Sequence, residues 1–185
     1  MPVVVVKEVL LNSSKGKNLI FMKKILLYFL VFFTVASYSQ NTLSNLLKKY
    51  NTEAIPYISV NELSNHKNDY VLLDTRELKE YKVSHLKNAI YVGYDAFNIN
   101  SVKKQLQNKH EKIVVYCSLG VRSETIGMKL KEAGYTNIHN LYGGIFEWKN
   151  QNFKVYNNTS IETENVHAYS KTWSQWLLKG NKVLD

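Results

Sequence analysis

Short apolar runs alternate with amphipathic stretches from about residue 55 to residue 150, and this alternation predicts strands separated by helices. The strand candidates are Tyr70-Val71-Leu72-Leu73-Asp74, Ala89-Ile90-Tyr91-Val92, Lys112-Ile113-Val114-Val115-Tyr116 and Asn137-Ile138-His139-Asn140-Leu141. They are short and mostly rich in β-branched and aromatic residues, as buried strands are. Between them, residues 77–82 read as a short helix and 100–109 as a polar amphipathic helix with Val102 and Leu106 inward. Residues 123–134 read as a helix stopped by Gly134, and Gly143-Gly144 opens another that carries Trp148, a core residue by its character. Ahead of the first strand, Leu43, Leu46, Leu47 and Tyr50 stand at helical spacing, followed by an extended entry at 55–59 and a capped turn at Ser59-Val60-Asn61-Glu62. The pattern predicts an α/β fold: a central, mostly parallel sheet in a three-layer arrangement, helices on both faces, with any site at the carboxyl ends of the strands.

The two ends of the chain break this pattern. Residues 150–164 are polar and read as a linker. Residues 166–178 carry Tyr169, Trp173, Trp176 and Leu177 at i, i+4, i+7 and i+8, the stripe of an amphipathic helix that docks on its own domain. At the other end, Lys23-Lys24 precedes a twelve-residue apolar stretch, 25–36, interrupted only by Thr34, and Ser37-Tyr38-Ser39-Gln40 offers small residues for a cut after Ser39. At 1.5 Å per residue that stretch covers about 18 Å, short of a ~30 Å hydrocarbon core, so an export signal is expected and no permanent membrane span. Residues 1–21 then read as an upstream extension without fold or function. The expected division is 1–21 extension, 22–39 signal, 40–54 lead-in helix, 55–155 the α/β domain, and 156–185 a C-terminal extension bearing the amphipathic helix. Export is the expected localisation, periplasmic if the source is Gram-negative.

The composition belongs to a globular protein: 45% hydrophobic and 21% charged residues in 185. The net charge of +9 is divided, with Lys7, Lys15, Lys17, Lys23 and Lys24 against Glu8 in the first 39 residues. No basic cluster interleaves with aromatics, so no nucleic-acid partner is expected. No His, Cys, Asp and Glu cluster has metal-ligand spacing, so neither metal nor cofactor is expected.

Cys117 is the one cysteine of the sequence, and it cannot form an internal disulfide. In an exported protein a lone thiol is kept for chemistry or for an intermolecular disulfide. It stands in Cys117-Ser118-Leu119-Gly120-Val121-Arg122-Ser123, between a strand end and a helix start. There the helix dipole and loop amides stabilise a thiolate. A core cysteine would need neither the glycine nor the cation beside it.

These residues resemble the rhodanese-like sulfurtransferases. Leu72-Leu73-Asp74-Thr75-Arg76-Glu77 with Glu80-Tyr81 is similar to the family's first signature, and Ser84-His85-Leu86-Lys87-Asn88-Ala89-Ile90 to its second. The Cys117 loop resembles its active-site loop, and Asn140-Leu141-Tyr142-Gly143-Gly144-Ile145-Phe146-Glu147-Trp148 its closing segment. Ser84 and Asn88 replace usual glycines, but both are turn residues, and asparagine tolerates left-handed backbone. Ser118 and Leu119 are uncharged where many sulfurtransferases carry arginine or lysine.

The resemblance implies a rhodanese-like fold and a thiosulfate sulfurtransferase-like enzyme. Cys117 would take sulfane sulfur from a small donor such as thiosulfate as a persulfide, and pass it to cyanide, a thiol or a protein thiol. It implies that residues 118–123 (Ser118, Leu119, Gly120, Val121, Arg122, Ser123) form the substrate and persulfide loop. Arg122 either orients an anionic donor or braces the loop against a buried carboxylate. Asp74 and Arg76 imply scaffold partners holding that loop, and His85 a turn and packing residue or a general base. Two alternatives stand beside enzymatic sulfur transfer. One is a sulfur carrier or protein-binding module with little turnover; the other is a cysteine-dependent phosphatase or arsenate reductase. The phosphatases use Cys-x5-Arg, and four residues separate Cys117 from Arg122 here.

Overall fold

The apolar runs become strands because both of their faces are buried. In the computed structural model, residues 42–185 are described. Helix α1 (Leu43–Tyr50), capped by the Thr42 hydroxyl, leads into β1 (Tyr57–Ile58) and α2 (Val60–His66). Then follow β2 (Val71–Asp74), α3 (Leu78–Val83), β3 (Ile90–Tyr91), α4 (Ile99–Gln105), β4 (Ile113–Tyr116), α5 (Val121–Glu132), β5 (Ile138–Leu141) and α6 (Gly144–Asn150). The five strands form one parallel sheet in the order β1-β5-β4-β2-β3. Leu72, Val114 and Tyr116 pack on one face with Val60 and Leu63 of α2 and Ile145, Phe146 and Trp148 of α6. Leu73, Ile113 and Val115 pack on the other with Val102 of α4 and Ile126 and Leu130 of α5. This is the expected α/β architecture, and β4, buried on both sides at every residue, is its centre.

Register brings the chemistry to one edge. Asp74 pairs with Tyr116, so the ends of β2 and β4 align and release Thr75 and Cys117 side by side at the carboxyl end of the sheet. Asn88 takes φ +64°, the left-handed turn geometry that asparagine accepts in place of glycine.

Three elements differ from the sequence expectation. Helix α4 stops at Gln105, since the chain turns out at Leu106, whose carbonyl accepts the Tyr135 hydroxyl at 2.6 Å. The polar stretch 150–164 is more than a linker: β6 (Val155–Tyr156) and β7 (Glu162–Thr163) form a hairpin, and β6 straddles the expected boundary at 155. Residues 166–178 hold no α-helix. Their backbone is β8 (Asn165–His167), paired in parallel with β9 (Asn181–Val183), then a 3-10 turn at Trp173–Trp176. Val166, Ala168 and Leu177 enter the first core, so the segment docks on its own domain as a strand and a turn.

The upstream extension over 1–21 and the export signal over 22–39 lie outside the described residues. Among the described residues, no helix is long and apolar enough to cross a membrane.

Candidate active site

The loop after β4 is fastened from three sides. The amides of Ile145 and Phe146 donate to the carbonyls of Cys117 and Ser118 at 3.0 and 3.1 Å. The Gly120 carbonyl accepts from Asn140 Nδ2 at 2.8 Å and Asn51 Nδ2 at 2.9 Å, and the Ser123 hydroxyl donates to Asn140 Oδ1 at 2.7 Å. Gly120 caps α5 with φ +110°, a conformation that suits glycine. Gly144 sits at φ +54° so close to the loop that a Cβ there would lie 2.3 Å from the Cys117 carbonyl oxygen. Helix α5 starts at Val121, so Arg122 and Ser123 belong to its first turn.

Cys117 is only 2% exposed. Burial pushes its thiol up, but the Arg122 guanidinium and the amides of Ser123 and Gly120 outweigh it and hold it below the ordinary thiol value. The Gly120 amide donates to Sγ at 3.1 Å. Arg122 grips Glu80 with both terminal nitrogens, Nη1 to Oε2 and Nη2 to Oε1, each at 2.7 Å. Ser118 Oγ completes a triangle, accepting from Arg122 at 3.1 Å and donating to Glu80 at 3.2 Å. Glu80 also accepts the Glu77 amide at 2.9 Å, in the capping box of α3. Burial works against the Glu80 carboxylate, yet the Arg122 hydrogen bonds and charge keep it below the usual carboxylate range. Of the two roles implied for Arg122, the geometry supplies the brace, and Glu80 is the buried carboxylate.

Asp74 and Arg76 are both fully buried and pair with each other: Arg76 Nη2 donates to Asp74 Oδ2 at 2.6 Å and Nε to Oδ1 at 3.0 Å. The resemblance implies that they hold the cysteine loop. Instead, the second bond of Arg76 Nη2 goes to the Ser84 carbonyl, at 2.6 Å, so the pair fastens the turn after α3. It is Thr75, between them, that reaches toward the loop, donating its amide and hydroxyl to the Tyr116 carbonyl at 2.9 and 3.0 Å. His85 stacks on Tyr81 at 4.0 Å between centroids and donates Nδ1 to the Tyr81 carbonyl, while its backbone bridges to Tyr156. It packs a turn and does not line the cavity over Cys117.

That cavity has a volume of about 100 Å³. Cys117, Ser118, Leu119, Val121 and Arg122 line it from the loop and the start of α5, and Tyr169 and Trp173 line it from the C-terminal segment. Gly120 and Ser123, the other two loop residues, support it by hydrogen bonds. Glu80, Asn140, Tyr169 and Trp173 also take part in the site, beyond the site residues that the sequence pattern implies. Glu80 has two local signals, its place in the first signature and its position three residues after Glu77 at a helix start; Asn140 has only its position in the closing segment. Among the described residues, no cluster of His, Cys, Asp and Glu is arranged to hold a metal ion.

The family model for the rhodanese-like domain matches residues 59–151. Among curated proteins, a tRNA uridine(34) hydroxylase from Bdellovibrio bacteriovorus is 31% identical over 106 residues, covering 56% of this chain and 29% of that protein. Another from Photorhabdus laumondii is 37% identical over 83 residues, covering 43% of this chain and 24% of that one. The chain thus spans about a quarter of the length of the curated relatives it matches. Among solved structures, a thiosulfate sulfurtransferase from Pseudomonas aeruginosa aligns with a TM-score of 0.51 and 20% identity over 66% of this chain and 23% of that chain. A protein from Bacillus halodurans aligns with 0.51 and 21% over 65% and 89%. At these identities the structural likeness establishes the fold.

Proposed function

The chain belongs to the rhodanese-like domain family, and on that premise we propose that it is a sulfurtransferase carrying sulfane sulfur on Cys117. One observation carries this reading: a buried cysteine at a strand end, its thiol held below the ordinary value, in a Cys-x4-Arg loop that Arg122 and Glu80 close. The Cys117 thiolate attacks the outer sulfur of the donor, forming an Sγ–S bond as the donor's S–S bond breaks and its electron pair leaves with the departing group. With thiosulfate that group is sulfite, and Cys117 becomes a persulfide anion. Amides that hold the thiolate are positioned for the negative charge of either state. An acceptor nucleophile, such as cyanide or a thiol, then attacks the outer sulfur and restores the Cys117 thiolate. With a single cysteine in the sequence, no second internal thiol resolves the persulfide, so the acceptor is another molecule.

Hydroxylation of a tRNA uridine is the activity named for relatives of which the match spans about a quarter. What the loop itself supports is a nucleophilic sulfur. The four-residue gap between Cys117 and Arg122 favours sulfur over phosphate. Export is part of the same proposal, supported by Lys23-Lys24 and the apolar stretch behind them; protein recovered from the exporting cell is expected to begin at Gln40.

Intact mass after exposure to thiosulfate tests the central step. A gain of one sulfur on the protein, absent in Cys117→Ser, is expected, followed by steady turnover with cyanide. Persulfide without turnover would make the protein a carrier, and no gain on either would overturn the reading.

A further inference from the structure

Tyr169 and Trp173 lie beyond the residues that the family model matches, yet they wall the cavity over Cys117. Their rings meet edge to face at 6.0 Å and 82°, and Trp173 leans on Tyr50 of α1 at 5.9 Å. Tyr169 also takes the Arg122 guanidinium over its face at 4.6 Å. The tyrosine holds this place with φ +63°, a backbone region in which a bulky residue is a genuine outlier. The strand before it supplies the hold: the Tyr169 amide donates to His167 Nδ1 at 3.1 Å, and His167 Nε2 meets Asp185 Oδ1 at 3.1 Å. A strained residue fixed by a buried histidine and set over a nucleophile points to function at that spot.

The charges of the site point the same way. Ser118, Leu119 and Val121 carry none, and Arg122 is the one cation among the described residues lining the cavity. Both of its terminal nitrogens are taken by Glu80. With Cys117 as thiolate, the three charges leave a net single negative charge. A dianion such as thiosulfate enters against that charge and meets a cation already paired with Glu80, whereas an organic donor with at most one charge meets two aromatic rings.

We propose that Tyr169 and Trp173 are specificity residues of the sulfur site, selecting sulfane-sulfur donors that bear an apolar organic group over the thiosulfate dianion. The donors are of the class R–S–SH or R–SO2–S⁻. This specificity presupposes the sulfur transfer proposed above. The Cys117 thiolate bonds to the outer sulfur, the donor S–S bond breaks, and the organic thiolate or sulfinate leaves with the electron pair. About 100 Å³ accommodates the reacting end of such a donor, and the organic group lies against the rings at the mouth.

Benzenethiosulfonate and thiosulfate, each with cyanide as acceptor, make the test, because both deliver an outer sulfur and differ in charge and ring. The ratio of their kcat/KM values in a variant, divided by that in the parent protein, cancels their intrinsic reactivities. Tyr169→Gly removes the ring and suits the positive φ, so it keeps the fold; Tyr169→Phe keeps the ring. The ratio is expected to fall about tenfold in Tyr169→Gly, through KM for the aromatic donor, and to stay within twofold in Tyr169→Phe. Trp173→Ser is expected to lower it in the same direction. A ratio unchanged in Tyr169→Gly overturns the assignment, even where intact mass shows a persulfide on Cys117. Absence of that persulfide with both donors overturns the sulfur-transfer reading itself, and the specificity with it.

Discussion

Arg122 and Glu80 are joined by two parallel hydrogen bonds of 2.7 Å, across forty-two positions of sequence, with Glu80 all but inaccessible to solvent. A fork-to-carboxylate pair of this kind fixes geometry as well as charge. Here it ties the first turn of α5, and with it the cysteine loop, to α3. Glu80→Ala would strand a mostly buried guanidinium, and breaking such a pair costs about 3–5 kcal/mol. Denaturant unfolding of Glu80→Ala should show that loss, with a fall of roughly 10 °C in the thermal midpoint. An unchanged midpoint would mean that the loop does not depend on the pair.

The thiol predicts a pH profile. Burial raises the Cys117 value, but Arg122 and the loop amides more than offset it, so the folded value lies below that of an ordinary thiol. The sign is that of a depressed acid. The thiolate's contribution to stability is fully present above the ordinary thiol value and is lost as pH falls through the folded value. Alkylation by iodoacetamide should therefore reach half its maximal rate at a lower pH than that of an exposed cysteine in a short peptide. Arg122→Gln should move that midpoint upward, because the largest favourable influence on the thiolate is gone. A midpoint that stays put would assign the effect to the amides alone.

How much of this was legible beforehand follows from the range of each interaction. The strands were readable because burial on both faces makes them continuous apolar runs, as in Ile113-Val114-Val115-Tyr116. The cysteine loop was readable because its chemistry is local: strand end, glycine, helix start. Glu80 stands in the first signature, but nothing near it in sequence names a partner as distant as Arg122. The segment after 165 departs from its local pattern for the same reason. Its apolar spacing fits a helix, but the hydrogen bonds of Asn165–His167 go to Asn181–Val183, beyond any local window. Asp74 and Arg76 read as scaffold partners of the cysteine loop, but the recipient of their brace, the Ser84 carbonyl, is set by the tertiary turn.

Asp74→Asn separates stability from chemistry. Arg76 is fully buried, its charge raised in affinity for protons by Asp74 despite the burial that opposes it. Halving that pair leaves an uncompensated interior cation, a loss of about 3–5 kcal/mol. Its hydrogen bonds lead to Ser84, away from Cys117, so sulfur loading per folded molecule should stay within about twofold of the parent. Urea unfolding and intact mass on the same sample check both halves. A large loading defect in folded protein would show that the pair acts on the loop after all.

Gly144→Ala tests the other side of the loop. Glycine is required twice at this position: the backbone is left-handed at φ +54°, and a methyl group would meet the Cys117 carbonyl oxygen at 2.3 Å and the Ser118 carbonyl at 2.7 Å. Both obstacles are backbone, so neither can swing aside as a flexible side chain would. Relief requires the loop and α6 to part, which lengthens the hydrogen bonds that the Ile145 and Phe146 amides donate to the Cys117 and Ser118 carbonyls. The left-handed backbone alone costs an alanine about 1–2 kcal/mol, and the displaced loop adds to it. The chemical consequence is larger than the loss of stability, since the thiolate depends on the Gly120 amide at 3.1 Å and on the Arg122 charge. Gly144→Ala should remain folded by far-ultraviolet circular dichroism, lose more than tenfold in the rate of persulfide formation, and shift the alkylation midpoint of Cys117 upward. A variant that loads sulfur at the parental rate would show that the loop holds its shape without α6.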